Sequence, residues 1–347
     1  MRDRMNERAL KVLEQYELEV GQLRRGRGSY MFDTPQGLRM LCDCTCSEHK
    51  AEFQNRVMER MREGGYQRVD RIVQNREGKL VSEDRDGSRY LVREWYVGRE
   101  CDTASESEIL AAVENLARIH QLMQLPDEPE LIESFSAPPL TKTLQAQNAE
   151  LRKIRSFIRR RNQKGSFERL FLQCFPAYYA QAEEALGRLE ECGGDGDRPE
   201  RAGSVCHGDY DHHHVLLCGY EMATTDFSKC RYDCQITDLY RFMRKILEKH
   251  DWNQRLGMRM LEQYMRTRPI TAKERRLLYI WMRYPEKFRI RHGYPDVFWK
   301  SWRYLMRRRK SRRRLCGCWS GEAGTFRTQT TDPLFELSAA KAAPVCG

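Results

Sequence analysis

The chain has 347 residues, of which 40% are hydrophobic, so it is long enough to bury a sizeable core and to form two lobes. No apolar run is long enough to span a membrane, and the charged first residues lack the apolar centre of a secretory signal. We therefore expect a cytosolic protein whose 13 cysteines are reduced thiols. No two cysteines have the Cys-x-x-Cys spacing of a zinc site, which favours buried thiols over metal ligands.

The net charge of +11 comes mostly from one short run, because residues 300–314 carry nine basic side chains and no acidic one. The rest of the chain carries a net charge of only +2. An Arg-rich run can bind nucleic acid by releasing counterions, and it can equally be a solvated helix end. No known nucleic-acid-reading motif accompanies it, so nucleic acid is not the expected partner.

Alternating apolar residues and turn signals predict a small β-rich lobe at the N-terminal end. Thr34-Pro35-Gln36-Gly37 is a typical turn, with proline in the second position and glycine in the fourth. Gly64-Gly65 ends the one long helix of this part. The predicted elements are a helix at 7–16, strands at 18–23, 30–32 and 38–42, a helix at 47–63, and strands at 69–73, 79–81 and 89–96.

The segment Arg25-Gly26-Arg27-Gly28-Ser29 joins the first two predicted strands. Glycine lets backbone N–H groups approach an anion closely, so this hairpin could lie over phosphate groups. Gly-x-Gly alone is weak evidence, and an ordinary hairpin explains the segment equally well.

From about residue 101 the pattern becomes helical. Capping boxes are predicted at Ser105–Glu108 and at Thr271–Glu274. A Pro-, Glu- and Ser-rich linker is expected at 125–139, and a disordered tail at 315–347. The predicted helices lie at about 105–120, 141–162, 167–192 and 238–250, with two or three more within 253–313.

The stretch from Cys206 to Tyr240 contains three aspartates in a distinctive order. Asp209 follows His207 and Gly208, Asp226 comes 17 residues later, and a third aspartate, Asp238, opens a helix. The spacing between the first two leaves room for two short strands, at 215–218 and 222–225, joined at 219–221. Three consecutive histidines, 212–214, precede these strands. Neighbouring side chains do not converge easily on one ion, so we do not expect a zinc site.

These blocks resemble the bacterial spore-coat protein S (CotS-type) family, which is related to aminoglycoside and choline phosphotransferases. The resemblance covers about 9–300. It implies an α+β, protein-kinase-like fold with a small lobe at 1–97 and a helical lobe at 98–314. It also implies ATP and Mg as cofactors, other spore-coat proteins as partners, and a place in the mother cell or the spore coat. The matching blocks are 25–28, 95–101, 116–120, 206–210 and 237–249.

The resemblance also implies roles for single residues. Asp209 matches the catalytic-loop aspartate, which orients or accepts the proton of the attacking hydroxyl. Asp226 matches the metal-binding aspartate, with His214 as the second ligand position. His207 would brace the loop, and Asp238 would accept N–H bonds from it. The implied nucleotide-binding residues are Gly26, Arg27, Gly28, Ser29, Arg39, Glu94 and Tyr96.

Two positions depart from the pattern of active phosphotransferases. The second metal position usually holds asparagine, and His214 is an imidazole that suits softer metals than Mg²⁺. The third strand lacks the usual phosphate-binding lysine and offers Arg39 or Cys42 instead. The carboxylate partner of that lysine would be Glu48 or Glu52. Three functions remain open: a working phosphotransferase, a kinase-shaped scaffold of the spore coat, and an anion-binding module.

Overall fold

The computed structural model describes residues 11–25, 29–126, 128–191 and 203–288. A small antiparallel sheet with one long helix comes first, and a larger, mostly helical lobe follows. This architecture confirms the predicted α+β, two-lobed fold. The Gly26–Gly28 segment, the glycine-rich loop at 193–199, the basic run and the tail lie outside the described residues.

The small lobe is built on six short strands. They are β1 (Leu23–Arg25), β2 (Ser29–Thr34), β3 (Gly37–Asp43), β4 (Ile72–Val73), β5 (Ser82–Glu83) and β6 (Arg89–Glu94). The order in the sheet is β1-β2-β3-β6-β4, and β5 also pairs with β6. The strands predicted at 30–32, 38–42 and 89–96 therefore correspond to β2, β3 and β6. The one predicted at 79–81 is placed wrongly, because this part of the chain pairs with β6 at Ser82–Glu83, the residues of β5.

The two faces of this sheet have different neighbours because successive side chains of a strand point to opposite sides. One face buries Phe32, Leu41 and Val92 against Val12 and Leu13, which belong to the short N-terminal helical segment. The other face is turned toward the helical lobe. The sheet thus has a small apolar core of its own and a second face that is available to a ligand.

One helix, α1 (Glu48–Glu63), connects the small lobe to the main core. The hydroxyl of Ser47 accepts the N–H of Lys50 and so caps the helix. The apolar face of α1, including Phe53 and Val57, is buried in the same cluster as the helices of the large lobe. The helix therefore ties the two lobes together.

Within the described residues, the large lobe combines seven helices with a three-stranded sheet and one strand pair. The helices are α2 (Glu106–Leu122), α3 (Pro129–Phe135), α4 (Leu140–Arg160), α5 (Ser166–Glu190), α6 (Ile236–Lys249), α7 (Gln254–Thr267) and α8 (Ala272–Arg283). The strands are β7 (Arg99–Glu100), β8 (Val205–Cys206), β9 (Val215–Cys218), β10 (Glu221–Thr224) and β11 (Arg231–Tyr232). The hairpin β9–β10 extends onto β7, and β8 pairs with β11. Helix α2 packs on α7, α4 on α5, and α8 on both α5 and α6.

Two local predictions for the large lobe need correction. The expected linker at 125–139 contains α3, because Pro129 has a fixed φ that suits the first helical turn. The capping box at Ser105 is only half formed: its hydroxyl accepts the Glu108 N–H, but the Glu108 carboxylate binds Arg99 and the Asp102 N–H. No helix among the described residues is long and apolar enough to cross a bilayer.

Candidate active site

The loop after β8 carries His207, Gly208 and Asp209. Gly208 has a φ of +84°, and a Cβ at this position would lie 2.1 Å from the backbone oxygen of Lys229. Glycine alone tolerates both the backbone conformation and the close approach. The loop is therefore pressed against the segment that follows Asp226, and two distant parts of the sequence meet.

Asp238, in the first turn of α6, holds this loop. Its buried carboxylate accepts the backbone N–H groups of His207 at 2.7 Å and Gly208 at 3.0 Å. His120 on α2 lies 3.3 Å from the same carboxylate, and its other ring nitrogen lies 2.7 Å from the hydroxyl of Tyr264. Burial alone would raise the pKa of Asp238, but the hydrogen bond with His120 and nearby positive charge hold it at about 2. The carboxylate therefore stays ionised and fixes the loop to two helices.

The His207 ring braces the same loop from its other side. The ring is fully buried, and burial lowers its pKa, so the neutral form is favoured. Its Nε2–H donates to the Thr225 oxygen at 3.0 Å, and its Nδ1 accepts the Asp209 N–H at 3.3 Å. One neutral tautomer satisfies both contacts. The ring thus spans from the Asp209 loop to the end of β10.

Asp209 presents its carboxylate at the open edge of the site. The side chain is 26% exposed, and Lys229 Nζ lies 2.6 Å from its Oδ2. Lys245, on α6, places its Nζ 3.7 Å from Oδ1. Each carboxylate oxygen therefore faces an ammonium group, and an approaching hydroxyl would reach the carboxylate from the exposed side.

His214 and Asp226 complete a cluster with Asp209. The His214 Nδ1–H donates to the backbone oxygen of Asp209 at 2.8 Å, which leaves Nε2 as the acceptor nitrogen. That nitrogen lies 3.4 Å from Asp226 Oδ2. Ligand atoms of all three side chains lie within 4.8 Å of one another. Two carboxylates and an outward lone pair on an imidazole are a donor set that fits a divalent cation.

Asp70, an aspartate of the small lobe, positions Asp226. Asp226 has a φ of 63°, which is unusual for a residue other than glycine. Its N–H donates to Asp70 Oδ2 at 2.9 Å, and its own carboxylate accepts the Ser228 N–H at 3.3 Å. Burial raises the pKa of Asp70 to about 6. The pKa of Asp226 is lowered, because Ser228 and the nearby histidines outweigh the effect of burial.

A cavity of about 350 Å³ lies between the sheet and these loops. The small lobe contributes residues of β2, β3, β6 and α1, and the large lobe contributes the histidine run and the Asp226 loop. Asp209 lies beside the cavity and is not among the described residues that line it. The lining residues are Ser29, Met40, Cys42, Asp43, Thr45, Cys46, Gln54, Asp70, Leu91, Arg93, Trp95, His213, His214, Thr225, Asp226 and Ser228.

The residues predicted to bind nucleotide are only partly brought to this cavity. Ser29 lines it, whereas Gly26, Arg27 and Gly28 lie outside the described residues. Arg39 donates to the Leu38 oxygen from the other face of β3. Glu94 pairs with Arg62 and Arg71, and the Tyr96 hydroxyl donates to the Val69 oxygen. Arg39, Glu94 and Tyr96 are therefore not among the described residues that line the cavity.

Arg93 on β6 is a candidate that sequence reasoning missed. It is the only lysine or arginine among the described residues that line the cavity. Arg93 pairs with Met40 across the sheet, two residues along the strands from the Cys42–Leu91 pair and on the same face. It therefore lies beside the position expected for a third-strand lysine. Its Nη2 donates to Gln54 Oε1 on α1 at 2.8 Å, and its Nη1 lies 3.3 Å from Asp70 Oδ2. The signal in the sequence was an arginine on the inward-facing register of a buried strand.

The structure also answers two smaller questions. Glu48 and Glu52, the expected carboxylate partners of a sheet cation, are exposed on α1, and the buried Gln54 takes that position. The three histidines have separate partners: His212 contacts Lys249, His213 contacts Glu100, and His214 joins the Asp209–Asp226 cluster. The run therefore does not converge on one ion.

Comparison with solved structures places this architecture among kinase-like phosphotransferases. An aminoglycoside phosphotransferase from Alicyclobacillus acidocaldarius subsp. acidocaldarius DSM 446 superposes with a TM-score of 0.76 at 16% identity, over 89% of this chain and 94% of that one. The spectinomycin phosphotransferase APH(9)-Ia, in complex with ADP and spectinomycin, gives 0.56 at 12%, over 91% and 94%. A microcompartment-associated aminopropanol kinase gives 0.55 at 14%, over 90% and 95%. At these identities the similarity establishes the fold alone.

The fold and the cluster at its cleft define a phosphotransferase-like protein with the protein-kinase-like architecture. The chain belongs to the family described as spore coat putative kinase YutH, whose model matches residues 9–289. The resemblance to the CotS-type spore-coat family is thereby confirmed. No curated protein sequence matches the chain.

Proposed function

We propose that the protein transfers the γ-phosphoryl group of ATP to a hydroxyl group, with a divalent cation bound at Asp226 and His214. The observation that carries this proposal is the cluster of Asp209, His214 and Asp226, whose ligand atoms lie within 4.8 Å of one another beside the cavity between the lobes. Three structural neighbours, two phosphotransferases and a kinase, support the same reaction class.

In the proposed reaction, Asp209 orients the acceptor hydroxyl and takes its proton. The acceptor oxygen forms a bond to the γ-phosphorus, the bond to the β-phosphate oxygen breaks, and ADP leaves. A bound divalent cation would neutralise charge on the phosphates. Asp238 and His207 keep the Asp209 loop in place through the contacts described above, so they act as positioning residues.

The donor set also suggests which cation is used. Mg²⁺ prefers oxygen ligands throughout, whereas Mn²⁺ shares that preference for carboxylates but, as a transition metal, accepts one imidazole nitrogen more readily. Because the His214 Nδ1–H is committed to the Asp209 backbone, its Nε2 is oriented as a ligand. We therefore propose that Mn²⁺ serves at least as well as Mg²⁺.

Arg93 is proposed as the phosphate-contacting cation of the small lobe. It lines the cavity, and it contacts α1 through Gln54, so it joins the sheet to the helix as a lysine on the third strand would. A guanidinium has five N–H donors, so it can hold Asp70 and Gln54 and still donate to a phosphate. Ser29, at the start of β2, lies on the same cavity wall.

Thermal unfolding with ATP and each cation is the direct test, because a ligand that binds the native state raises its stability. We expect ATP with Mn²⁺ to raise Tm more than ATP alone, and Asp226→Asn to abolish the difference. Transfer of labelled phosphate that is lost in Asp209→Asn would establish catalysis. If neither cation changed the response to ATP, the proposal would be wrong.

A scaffold of the spore coat is the second candidate. The observation that favours it is that Cys42 and His214 stand where active phosphotransferases carry lysine and asparagine. On this alternative the protein assembles with other coat proteins in the mother cell without transferring phosphate. Normal coat assembly by a strain that carries Asp209→Asn, together with no measurable transfer by the purified protein, would favour it.

A further inference from the structure

The Asp209 loop lies against a row of cations on α6. Arg241, Lys245 and Lys249 recur every four residues on α6, so they share one face of the helix. Arg241 Nη1 donates to the Gly208 oxygen at 2.6 Å. Lys245 Nζ donates to Asp211 Oδ2 at 2.7 Å, and Lys249 Nζ lies 3.0 Å from His212 Nε2. The row therefore follows the loop from one end to the other.

Lys229 adds a fourth cation from the opposite side of Asp209. Its side chain is 61% exposed, and its Nζ lies 2.6 Å from Asp209 Oδ2. The loop supplies two carboxylates, Asp209 and Asp211, which face Lys229 and Lys245. The buried, ionised Asp238 offsets Arg241. Lys249, whose Nζ contacts only Thr103 Oγ1 and His212 Nε2 among the described residues, is then the cation whose charge is left over at the edge where an acceptor must enter. The neighbouring charges balance among themselves, as in Arg231 with Asp233 and in Arg244 with Glu248.

The shape of this edge also bears on the kind of acceptor. Within the described part of the chain, Asp209 does not line the cavity and its side chain is 26% exposed, so we take the acceptor to approach from that exposed side. The three cations of α6 extend over eight residues, which is about 12 Å along the helix axis. An extended polypeptide covers that distance with about four residues. A small metabolite would contact only one or two of the cations.

We propose that the acceptor is a serine, threonine or tyrosine hydroxyl within an acidic stretch of polypeptide. This inference rests on the proposed phosphotransfer and specifies its second substrate. Carboxylates on one side of the hydroxyl would pair with Lys229, and those on the other side with the row on α6 that ends at Lys249. The hydroxyl would then lie beside Asp209. A polycationic acceptor would be repelled by the same side chains.

Peptide binding measured without nucleotide tests the proposal separately from phosphotransfer. A fluorescein-labelled peptide with a central serine and flanking glutamates is compared, by fluorescence anisotropy, with a peptide in which lysines replace the glutamates. We expect the acidic peptide to bind the wild-type protein and the basic one not to bind. Affinity should fall as salt rises, because the contacts are ionic.

A matched pair of variants separates this surface from the general positive charge of the chain. Lys249→Glu reverses one charge of the row, and Lys142→Glu makes the same reversal at an exposed position of α4, which packs on α5. We expect Lys249→Glu to weaken binding of the acidic peptide about tenfold and Lys142→Glu to leave it unchanged within about twofold. The same control covers binding through the basic run at 300–314, since neither variant alters it.

Each outcome decides a separate question. Equal effects of the two variants, or tighter binding of the basic peptide, would overturn the proposal. Competition by glutamate or inorganic phosphate at the concentration of the acidic peptide itself would show that a small anion is the acceptor class instead. If the acidic peptide binds through Lys249 but ATP does not bind, the peptide surface stands and the phosphotransferase assignment is the part that fails.

Discussion

The buried pair of Arg93 and Asp70 gives the sharpest test of the proposal that Arg93 binds the nucleotide phosphates in place of a third-strand lysine. Arg93→Met removes the guanidinium from a position where the two residues are only 5% and 1% exposed. Removing one partner of a buried ion pair costs about 3–5 kcal/mol, because the other charge is left uncompensated. Adding Asp70→Asn removes that charge, and its amide oxygen can still accept the Asp226 N–H. We expect the double variant to recover most of the lost stability.

Nucleotide affinity then separates phosphate binding from support of the fold. A hydrogen bond to a charged group contributes about 1.5–3 kcal/mol, so the double variant is expected to bind ATP about 10–100-fold more weakly. Its affinity for adenosine should not change, because adenosine has no phosphate. Both ligands can be measured by competition against a fluorescent ATP analogue, with urea unfolding as the check on stability.

Two further variants control this experiment. Arg39→Met removes an arginine from the other face of β3, and its ratio of ATP to adenosine affinity should equal that of the wild type. Cys42→Lys, added to the double variant, returns a cation to the cavity wall and should restore part of the ATP affinity. If the double variant kept the wild-type ratio, Arg93 would serve only to hold Asp70, and the assignment to phosphate binding would be refuted.

Three other predictions follow from the site. His214→Asn should weaken Mn²⁺ binding to the nucleotide-free protein about tenfold, as read by the free-Mn²⁺ signal in electron paramagnetic resonance, and unchanged affinity would exclude His214 as a ligand. Gly208→Ala should destabilise the protein by more than about 1 kcal/mol, because the new Cβ would lie 2.1 Å from the Lys229 oxygen at a φ of +84°. Burial raises the pKa of Asp70 to about 6, so its contribution to stability is present below about pH 4 and is lost as the pH rises through 6. The free energy of unfolding of Asp70→Asn relative to wild type should therefore increase by about 2 kcal/mol between pH 4 and 7, and a flat difference would contradict the raised pKa.

Local sequence signals were sufficient for the elements that build the site. Turn residues and alternation located the strands β2, β3 and β6, and Gly64-Gly65 marked the end of α1. The spacing between Asp209 and Asp226 predicted the β9–β10 hairpin, because two strands and a tight turn need about that length. These features depend on neighbours in the sequence, which a pattern records directly.

The contacts that tune the site could not be read in the same way. The pairing of Arg93 with Gln54 and Asp70 depends on how α1 packs on the sheet, and no periodicity specifies that packing. The sequence therefore indicates Glu48 and Glu52 as carboxylate partners, which have the expected chemistry but lie on the exposed face of the helix. A glutamine and an aspartate outside the helix meet the guanidinium instead.

The energetic cost of the site argues for a ligand-binding role over a purely structural one. Asp226 adopts a left-handed backbone conformation, and such a residue persists only where its surroundings hold it in place. Asp70 keeps one carboxylate oxygen, Oδ1, buried without a hydrogen-bond partner among the residues that the structure describes. Both residues line the same cavity, and both would be stabilised if a cation or a polar ligand entered it. A scaffold would gain from replacing them with apolar side chains of similar volume, since well-packed apolar groups often match or exceed the stability of buried ionic ones. The features that reduce stability are thus concentrated where phosphotransfer would use them.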